Sequence, residues 1–257
     1  MRILAIGNSF SEDATYYLKA MADAAGEPLK VVNLYIGGCS LEQHAENLVT
    51  GEKSYRYEEN GAYTEKRVCI NEALTETEWD TVTIQQVSGL SGIPESCEPY
   101  MGQLIDRIKQ LTPSAEIMLH RTWAYAQGCA HPQFPLYGCD RKIMDEKIRK
   151  TAVDYARKYS LKLIPSGGVI KMLIERYGFS FEELYRDGFH LSVLYGRYAA
   201  AMTWYTFLTG NKPVPFTVGR ENLINGFTAD LTGFDEEKAA LIRTAVQEVY
   251  ESHSGQF

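Results

Sequence analysis

Residues 3–11 read Ile3-Leu4-Ala5-Ile6-Gly7-Asn8-Ser9-Phe10-Ser11, an apolar run that passes without alternation into a glycine and then into small polar residues. An unbroken apolar run of this length, closed by turn residues, is a strand buried on both faces, as in a parallel sheet covered by helices. The same signature recurs along the chain. Residues 2–6, 30–36, 81–85, 116–120 and 161–165 read as five buried strands. Helical stripes lie between them. Leu18, Met21, Ala22 and Ala25 share one face, with Gly26 as a stop, and Met101, Leu104, Ile105, Ile108 and Leu111 form a second stripe ended by Pro113. Met144, Ile148, Ala152 and Tyr155 form a third, and further helices are expected from about 192 to 208 and from about 236 to 250. Strands alternating with helices predict an α/β fold, a three-layer α/β/α sandwich around a five-stranded parallel sheet.

The stretch 51–78 breaks that rhythm. Tyr55-Arg56-Tyr57 and Ala62-Tyr63-Thr64 flank Glu59-Asn60-Gly61, and Asn-Gly is a strong hairpin signal because both residues tolerate positive φ. A β-hairpin is expected here, inserted between the second and third strands and lying over the sheet. Residues 211–257 read as a C-terminal extension carrying the last helix. With no internal repeat, one domain over 1–257 is the best division. Hydrophobic residues make up 45% of the chain, enough for a sizeable core. The formal net charge is -7, and no basic run exceeds two residues, which argues against a nucleic-acid partner. Cys39, Cys69, Cys97, Cys129 and Cys139 are an odd set without a CxxC pair, as expected of unpaired thiols in a cytoplasmic protein. The apolar run after Met1 is too short for a signal peptide or a membrane span, and no other segment reaches spanning length. No membrane partner is expected.

In open parallel sheets, ligands bind beyond the carboxyl ends of the strands. Here those ends carry Gly7-Asn8-Ser9, Gly37-Gly38-Cys39-Ser40, Gln86 with Ser88 and Gly89, Arg121-Thr122-Trp123, and Ser166-Gly167-Gly168. Every strand ends in small or polar residues on one rim. Ser9 sits at a strand-to-helix turn, where it becomes a nucleophile only if a base reaches it. Ser9-x-x-Glu12 fits a helix-capping box as well, and Ser11 is equally placed to cap. Asp187-Gly188-Phe189-His190 places a carboxylate three residues before a histidine, on a tight turn leading into a helix. That spacing lets Asp187 hold Nδ1–H and leaves Nε2 for a serine; the other reading has Asp187 capping the helix and His190 purely structural. Arg121 is placed to pair with an acid or to face an anionic substrate. Trp123, Tyr125 and the hairpin tyrosines either line the mouth or pack. Cys129, His131 and Cys139 match no zinc spacing, so neither a metal nor a cofactor is expected.

The first block, Ile3 to Ser11, resembles the opening block of the SGNH/GDSL-type serine hydrolases, in which Gly-Asp-Ser carries the nucleophile; Asn8 replaces the acid here. Asp187-Gly188-Phe189-His190 is similar to that superfamily's last block, Asp-x-x-His, and Gly37-Gly38 stands where its second block supplies an oxyanion-hole glycine. The third block departs from the pattern. Gly-x-Asn-Asp is usual after the third strand, whereas this chain reads Ile84-Gln85-Gln86-Val87-Ser88-Gly89. One branch of SGNH-type carbohydrate esterases places glutamine there. The Gln-rich block and Thr122-Trp123 resemble a poorly characterised SGNH-like branch, and the likeness spans roughly residues 1 to 210.

The resemblance implies the SGNH hydrolase fold, flavodoxin-like in strand order, and a serine esterase with Ser9 as nucleophile, His190 as base and Asp187 orienting it. It implies an oxyanion hole built from Ser9, Gly38 and the amide of Gln86, with Gly37 and Gln85 as alternatives. The implied substrate is a small acyl ester, above all an acetyl group on a carbohydrate or oligosaccharide. The alternatives are a thioesterase or lipase for longer acyl chains, and a non-catalytic glycan-, phosphate- or flavin-binding protein on the same fold.

Overall fold

A computed structural model describes residues 1–253. Strands β1 (Arg2–Gly7), β2 (Lys30–Tyr35), β3 (Tyr55–Glu59), β4 (Ala62–Val68), β5 (Thr81–Ile84), β6 (Glu116–His120) and β7 (Lys162–Ile164) form one sheet in the order β4-β3-β2-β1-β5-β6-β7. The five strands β2-β1-β5-β6-β7 pair in parallel, so their order is the flavodoxin-like 2-1-3-4-5. The expected count is corrected at one edge. The sheet has seven strands and is mixed, because the hairpin β3–β4 pairs antiparallel with β2 and extends the sheet instead of lying over it.

The physical reason lies in β2. Left at the edge, it would present a ladder of unpaired N–H and C=O groups. Pairing with β3 satisfies them, and the outer edge passes to β4, whose exposed Glu65, Lys66 and Arg67 are poor templates for another strand. Asn60 and Gly61, at φ 53° and 82°, make the turn between β3 and β4.

Alternate residues of β1 feed two cores. Ile3 and Ala5 pack on one side with helices α1 (Ser9–Thr15), α2 (Leu18–Ala24), α7 (Ser166–Glu175), α9 (Gly196–Thr209) and α10 (Glu236–His253). Leu4 and Ile6 pack on the other with α3 (Leu41–Thr50), α4 (Ile70–Thr75), α5 (Tyr100–Leu111) and the C-terminal half of α6 (Arg141–Tyr159). This alternation produces the three layers. Helix α9 is buried from Gly196 through Thr206 and contacts α1, α2, α7 and α10. It begins at Gly196, four residues after the expected start, because Ser192 is taken up bonding back to the short helix α8 (Phe181–Leu184). In the C-terminal extension, α10 packs on α7 and α9, and residues 254–257 lie outside the described residues. All five cysteines are free thiols, and among the described residues no helix is long and apolar enough to cross a membrane.

The docked hairpin carries a buried charge. Glu58 is 1% exposed; it accepts from Asn33 Nδ2 at 2.7 Å and from Arg56 Nε at 2.8 Å, while Arg56 also reaches Glu12 at 3.0 Å. Burial, then the neighbouring charge of Glu12, push the Glu58 carboxyl up to about 7. A carboxyl raised in the fold contributes fully below its unfolded value of 4.5, and that contribution is lost as pH rises through about 7. Glu58→Gln cannot ionise. Its stability relative to the parent is therefore expected to improve by roughly 2–3 kcal/mol between pH 5 and pH 8, read by urea unfolding at the two pH values. A parent–variant difference that does not change with pH contradicts this account of Glu58.

Candidate active site

The site begins where β1 ends. Asn8, in extended conformation, caps α1: its Oδ1 accepts from Phe10 N–H at 3.0 Å, and Ser11 Oγ accepts from Asn8 N–H at 3.0 Å. Asn8 and Ser11 therefore do the capping, and Ser9 is left with its hydroxyl uncommitted to the helix. That hydroxyl lies 2.9 Å from His190 Nε2.

The loop that brings His190 there is tied at several points. Asp187 Oδ1 accepts from the N–H of Phe189 at 3.1 Å and of His190 at 2.7 Å, and Asp187 Oδ2 meets His190 Nδ1 at 2.6 Å. Gly188, at φ +88°, lets the chain turn this tightly. The turn leads into a bridge between Tyr185 and Leu191 and not directly into a helix, so Asp187 caps the turn itself. Gly188 O accepts from Ala126 N–H at 2.7 Å. Behind the loop, Asp13 on α1 accepts from Leu191 N–H at 2.8 Å and from Arg186 Nη1 at 2.8 Å.

Burial works against ionisation of Asp187, but the bonds from the His190 ring and from the two backbone N–H groups outweigh it and hold the carboxyl below its ordinary range. A carboxylate there keeps the proton of the neutral imidazole on Nδ1 and leaves Nε2 as the acceptor for Ser9.

Both third-block glutamines are turned to other partners. Gln86 Oε1 accepts from Leu41 N–H at 2.9 Å and Val87 N–H at 2.8 Å, and its Nε2 donates to Ser96 O at 2.9 Å and Ser96 Oγ at 3.1 Å. Its amide is saturated tying the start of α3 to the loop after β5, so the expected oxyanion role is not open to it here. Gln85 points to the opposite face. Its Nε2 donates to Asn8 Oδ1 at 2.9 Å, its Oε1 lies 2.6 Å from His120 Nδ1, and His120 Nε2 lies 2.9 Å from Ser166 Oγ. Burial drives the His120 imidazole down to about 3, so it is neutral, donating from Nδ1 and accepting at Nε2. This buried chain braces the Asn8 turn from below.

Of the two readings open for Arg121 and for Trp123, the structural one holds in each case and the substrate-binding one is corrected. Arg121 does not face a substrate; it is 5% exposed and pairs with Asp145 at 2.9 Å. Trp123 is fully buried and does not line the mouth. Its ring stacks on Phe10 at 4.3 Å and its indole N–H donates to Phe189 O at 2.8 Å, so it is a post joining α1 to the His190 loop. Tyr125 is buried as well, its hydroxyl 2.9 Å from Ser88 Oγ.

Ser9 and His190 open on a cleft of about 370 Å³, whose walls include Gly37, Gly38, Tyr35 and Ser88. Among the described residues, the backbone N–H groups of Ser9 and Gly38 make no hydrogen bond within the protein. Gly38 takes φ +65°, which favours glycine at this wall.

Residues 2–228 match the family described as "Domain of unknown function (DUF4886)". The chain belongs to this family. A crystal structure of a DUF4886 family protein from Bacteroides uniformis is 33% identical, with a TM-score of 0.83 over 97% of this chain and 94% of that one. A protein from Slackia heliotrinireducens that has been proposed to be an SGNH hydrolase is 21% identical with a TM-score of 0.59 over 81% of this chain and 98% of its own. A catalytic mutant of an acetylxylan esterase from Geobacillus stearothermophilus is 14% identical with a TM-score of 0.51, over 80% and 91% of the two chains. No match was found among curated proteins. The fold of this DUF4886 chain is thus the SGNH-type α/β fold that the sequence resemblance implied.

The cleft of this DUF4886 protein also holds Tyr35 and Leu90, which sequence reading missed, Ser88, which it placed on the rim without a role, and His131 and Gln133, of which the first was weighed only as a metal ligand and the second was missed. The last two come from the irregular stretch 121–140 between β6 and α6, and its length was the available signal, since long loops in compact domains tend to serve function. His131 packs edge-on to Phe189 at 4.8 Å; burial, then the charge of His190, hold its imidazole below the ordinary value.

Asn8 is the residue by which the first block departs from Gly-Asp-Ser, and its socket explains the departure. Asn8 Nδ2 donates to Cys39 O at 3.0 Å in a site 1% exposed. An aspartate would set a carboxylate oxygen against that carbonyl with no proton between them. Asn8→Asp is therefore expected to lower stability by about 1–3 kcal/mol, seen as a lower urea midpoint at unchanged slope. Equal or greater stability of the variant contradicts this reading of the socket.

Proposed function

We propose that this DUF4886 protein is a serine esterase that hydrolyses small acyl esters, acetyl esters of a carbohydrate above all. The observation that carries this reading is the continuous bonding from Ser9 Oγ to His190 Nε2 at 2.9 Å and from His190 Nδ1 to Asp187 Oδ2 at 2.6 Å. Ser9 Oγ attacks the ester carbonyl while His190 takes its proton, which the imidazolium then gives to the leaving alcohol. A water, deprotonated by the same imidazole, releases the acyl group and restores Ser9. Asp187 keeps the tautomer and stabilises the imidazolium. The free N–H groups of Ser9 and Gly38 receive the developing oxyanion.

The acetyl-carbohydrate substrate is supported by two considerations. The acetylxylan esterase from Geobacillus stearothermophilus has the same fold. The cleft of about 370 Å³ is walled partly by Tyr35, Ser88 and Gln133, groups suited to a hydroxyl-bearing alcohol. Such a cleft counts against a lipase or thioesterase for long acyl chains. The Ser9–His190 bond counts against simple phosphate or flavin binding, which would have to break it. A cytoplasmic site of action, on an oligosaccharide or metabolite ester, accords with five unpaired thiols.

The test is p-nitrophenyl acetate hydrolysis by the parent and by Ser9→Ala, His190→Ala and Asp187→Asn. Each substitution is expected to lower kcat by about 10⁴-fold or more, with folding unchanged by circular dichroism. The Ser9→Ala/His190→Ala double variant should be no slower than either single one, because the two residues act as a unit. A Ser9→Ala protein that keeps most of the parent's activity removes Ser9 from the mechanism.

A further inference from the structure

With Gln85 and Gln86 committed elsewhere, the loop after β5 offers Ser9 no side-chain amide of its own. A different amide lies against that loop. Gln133 lines the cleft together with Ser9, Gly38 and His190. Its side chain packs over Gly89, three residues past Gln86. A Cβ added at Gly89 would fall 1.9 Å from Gln133 Oε1, 2.5 Å from its Cδ and 2.6 Å from its Cβ. Gly89 does not take a positive φ, so turn geometry alone does not demand glycine there. The glycine leaves room for Gln133.

The backbone of Gln133 is held on both sides. Its N–H donates to His131 Nδ1 at 3.2 Å, and its carbonyl accepts from Leu136 N–H at 3.2 Å. Among the described residues, neither end of its side-chain amide has a hydrogen-bond partner within the protein. An anchored residue with an idle amide on the cleft it shares with the Ser9 hydroxyl has the properties of a preorganised donor.

We propose that Gln133 is the third oxyanion donor of this site, and that Gly89 is the seat that holds it there. The proposal rests on the esterase reading. As Ser9 Oγ bonds to the acyl carbon, the carbonyl π pair moves onto oxygen, and His190 holds the proton that left Ser9. The negative oxygen accepts from Ser9 N–H, Gly38 N–H and Gln133 Nε2–H. When the tetrahedral intermediate collapses, the C–O bond to the alcohol breaks and His190 returns the proton to the leaving oxygen.

The experiment is steady-state p-nitrophenyl acetate hydrolysis by the full chain as parent, Gln133→Ala, Gln133→Glu and Gly89→Ala, with thermal melts of each. Gln133→Ala is expected to lower kcat about 10²-fold while KM stays within about threefold, since the donor acts on charge that exists only in the transition state. Gln133→Glu keeps the shape but loses the donor, and should be at least as slow. Gly89→Ala should lower kcat similarly by displacing Gln133; should it fail to fold, the partly exposed Gln133 variants carry the test. A Gln133→Ala kcat within threefold of the parent overturns the proposal and leaves the triad standing. A loss confined to KM overturns it too, making Gln133 a binding residue only. A parent without Ser9-dependent hydrolysis overturns the esterase reading and this proposal together.

Discussion

The carboxylate of Asp13 holds the two halves of the site at a fixed separation. It is fully buried on α1, one turn beyond Ser9, and accepts from Leu191 N–H at 2.8 Å, Arg186 Nη1 at 2.8 Å and Arg197 Nε at 2.7 Å. Ser9 and His190 are 181 positions apart in the chain, so nothing local keeps one in reach of the other. Asp13 ties that spacing to a largely buried ion cluster, next to the Trp123 post that also joins α1 to the His190 loop. The Arg197 guanidinium lies over the rings of Tyr16 and Phe227, at 4.1 and 3.7 Å from their centroids, and these faces stand beside the Nη atoms that no hydrogen bond reaches. Breaking one partner of such a cluster typically costs about 3–5 kcal/mol, because the other charge is left buried alone. A displacement of about 1 Å between a nucleophile and its base can cost a factor of 10² in rate.

The departures from the SGNH pattern are coupled through one set of bonds. Asn8 turns its NH₂ to Cys39 O, which aims its Oδ1 at Phe10 N–H and at the amide of Gln85. Gln85 must then donate to Asn8 and accept from His120, and His120 must accept from Ser166. Each donor and acceptor in this buried line is determined by its neighbour. Asparagine in the first block and glutamine in the third are thus two ends of one arrangement beneath the Ser9 turn. An aspartate at position 8 would break it at the Cys39 end.

Much of the fold was legible because its signals are local. The five parallel strands are buried on both faces, so β1 and its neighbours read as continuous apolar runs, and Asn60-Gly61 marked its turn by conformational preference alone. The docking of that hairpin was not legible, since it depends on β2 needing a partner and on Asn33 meeting Glu58 across the new pair. Helix α3 was missed although Ser40 caps it and Gly51 ends it at φ +66°, a pair of signals present in the sequence. In the candidate site, Asp187 and His190 were legible as an i, i+3 pair. Arg121 and Trp123 kept two readings each because rim position does not tell which way a side chain turns, and both turn inward to Asp145 and Phe10. Gln86 was misread for a related reason: composition shows an amide, but not that Leu41, Val87 and Ser96 saturate it.

The proposed mechanism requires Ser9 to be an activated nucleophile under His190, held there by the folded chain. Reaction of the native protein with a fluorophosphonate probe, followed by peptide mapping, reads this directly, because the probe captures a serine only where a base and an oxyanion site act on it. A single phosphonylated residue, Ser9, is expected in the parent, with no labelling in His190→Ala or after unfolding in urea. Labelling at another residue, or a folded parent that the probe leaves unmodified, would contradict it.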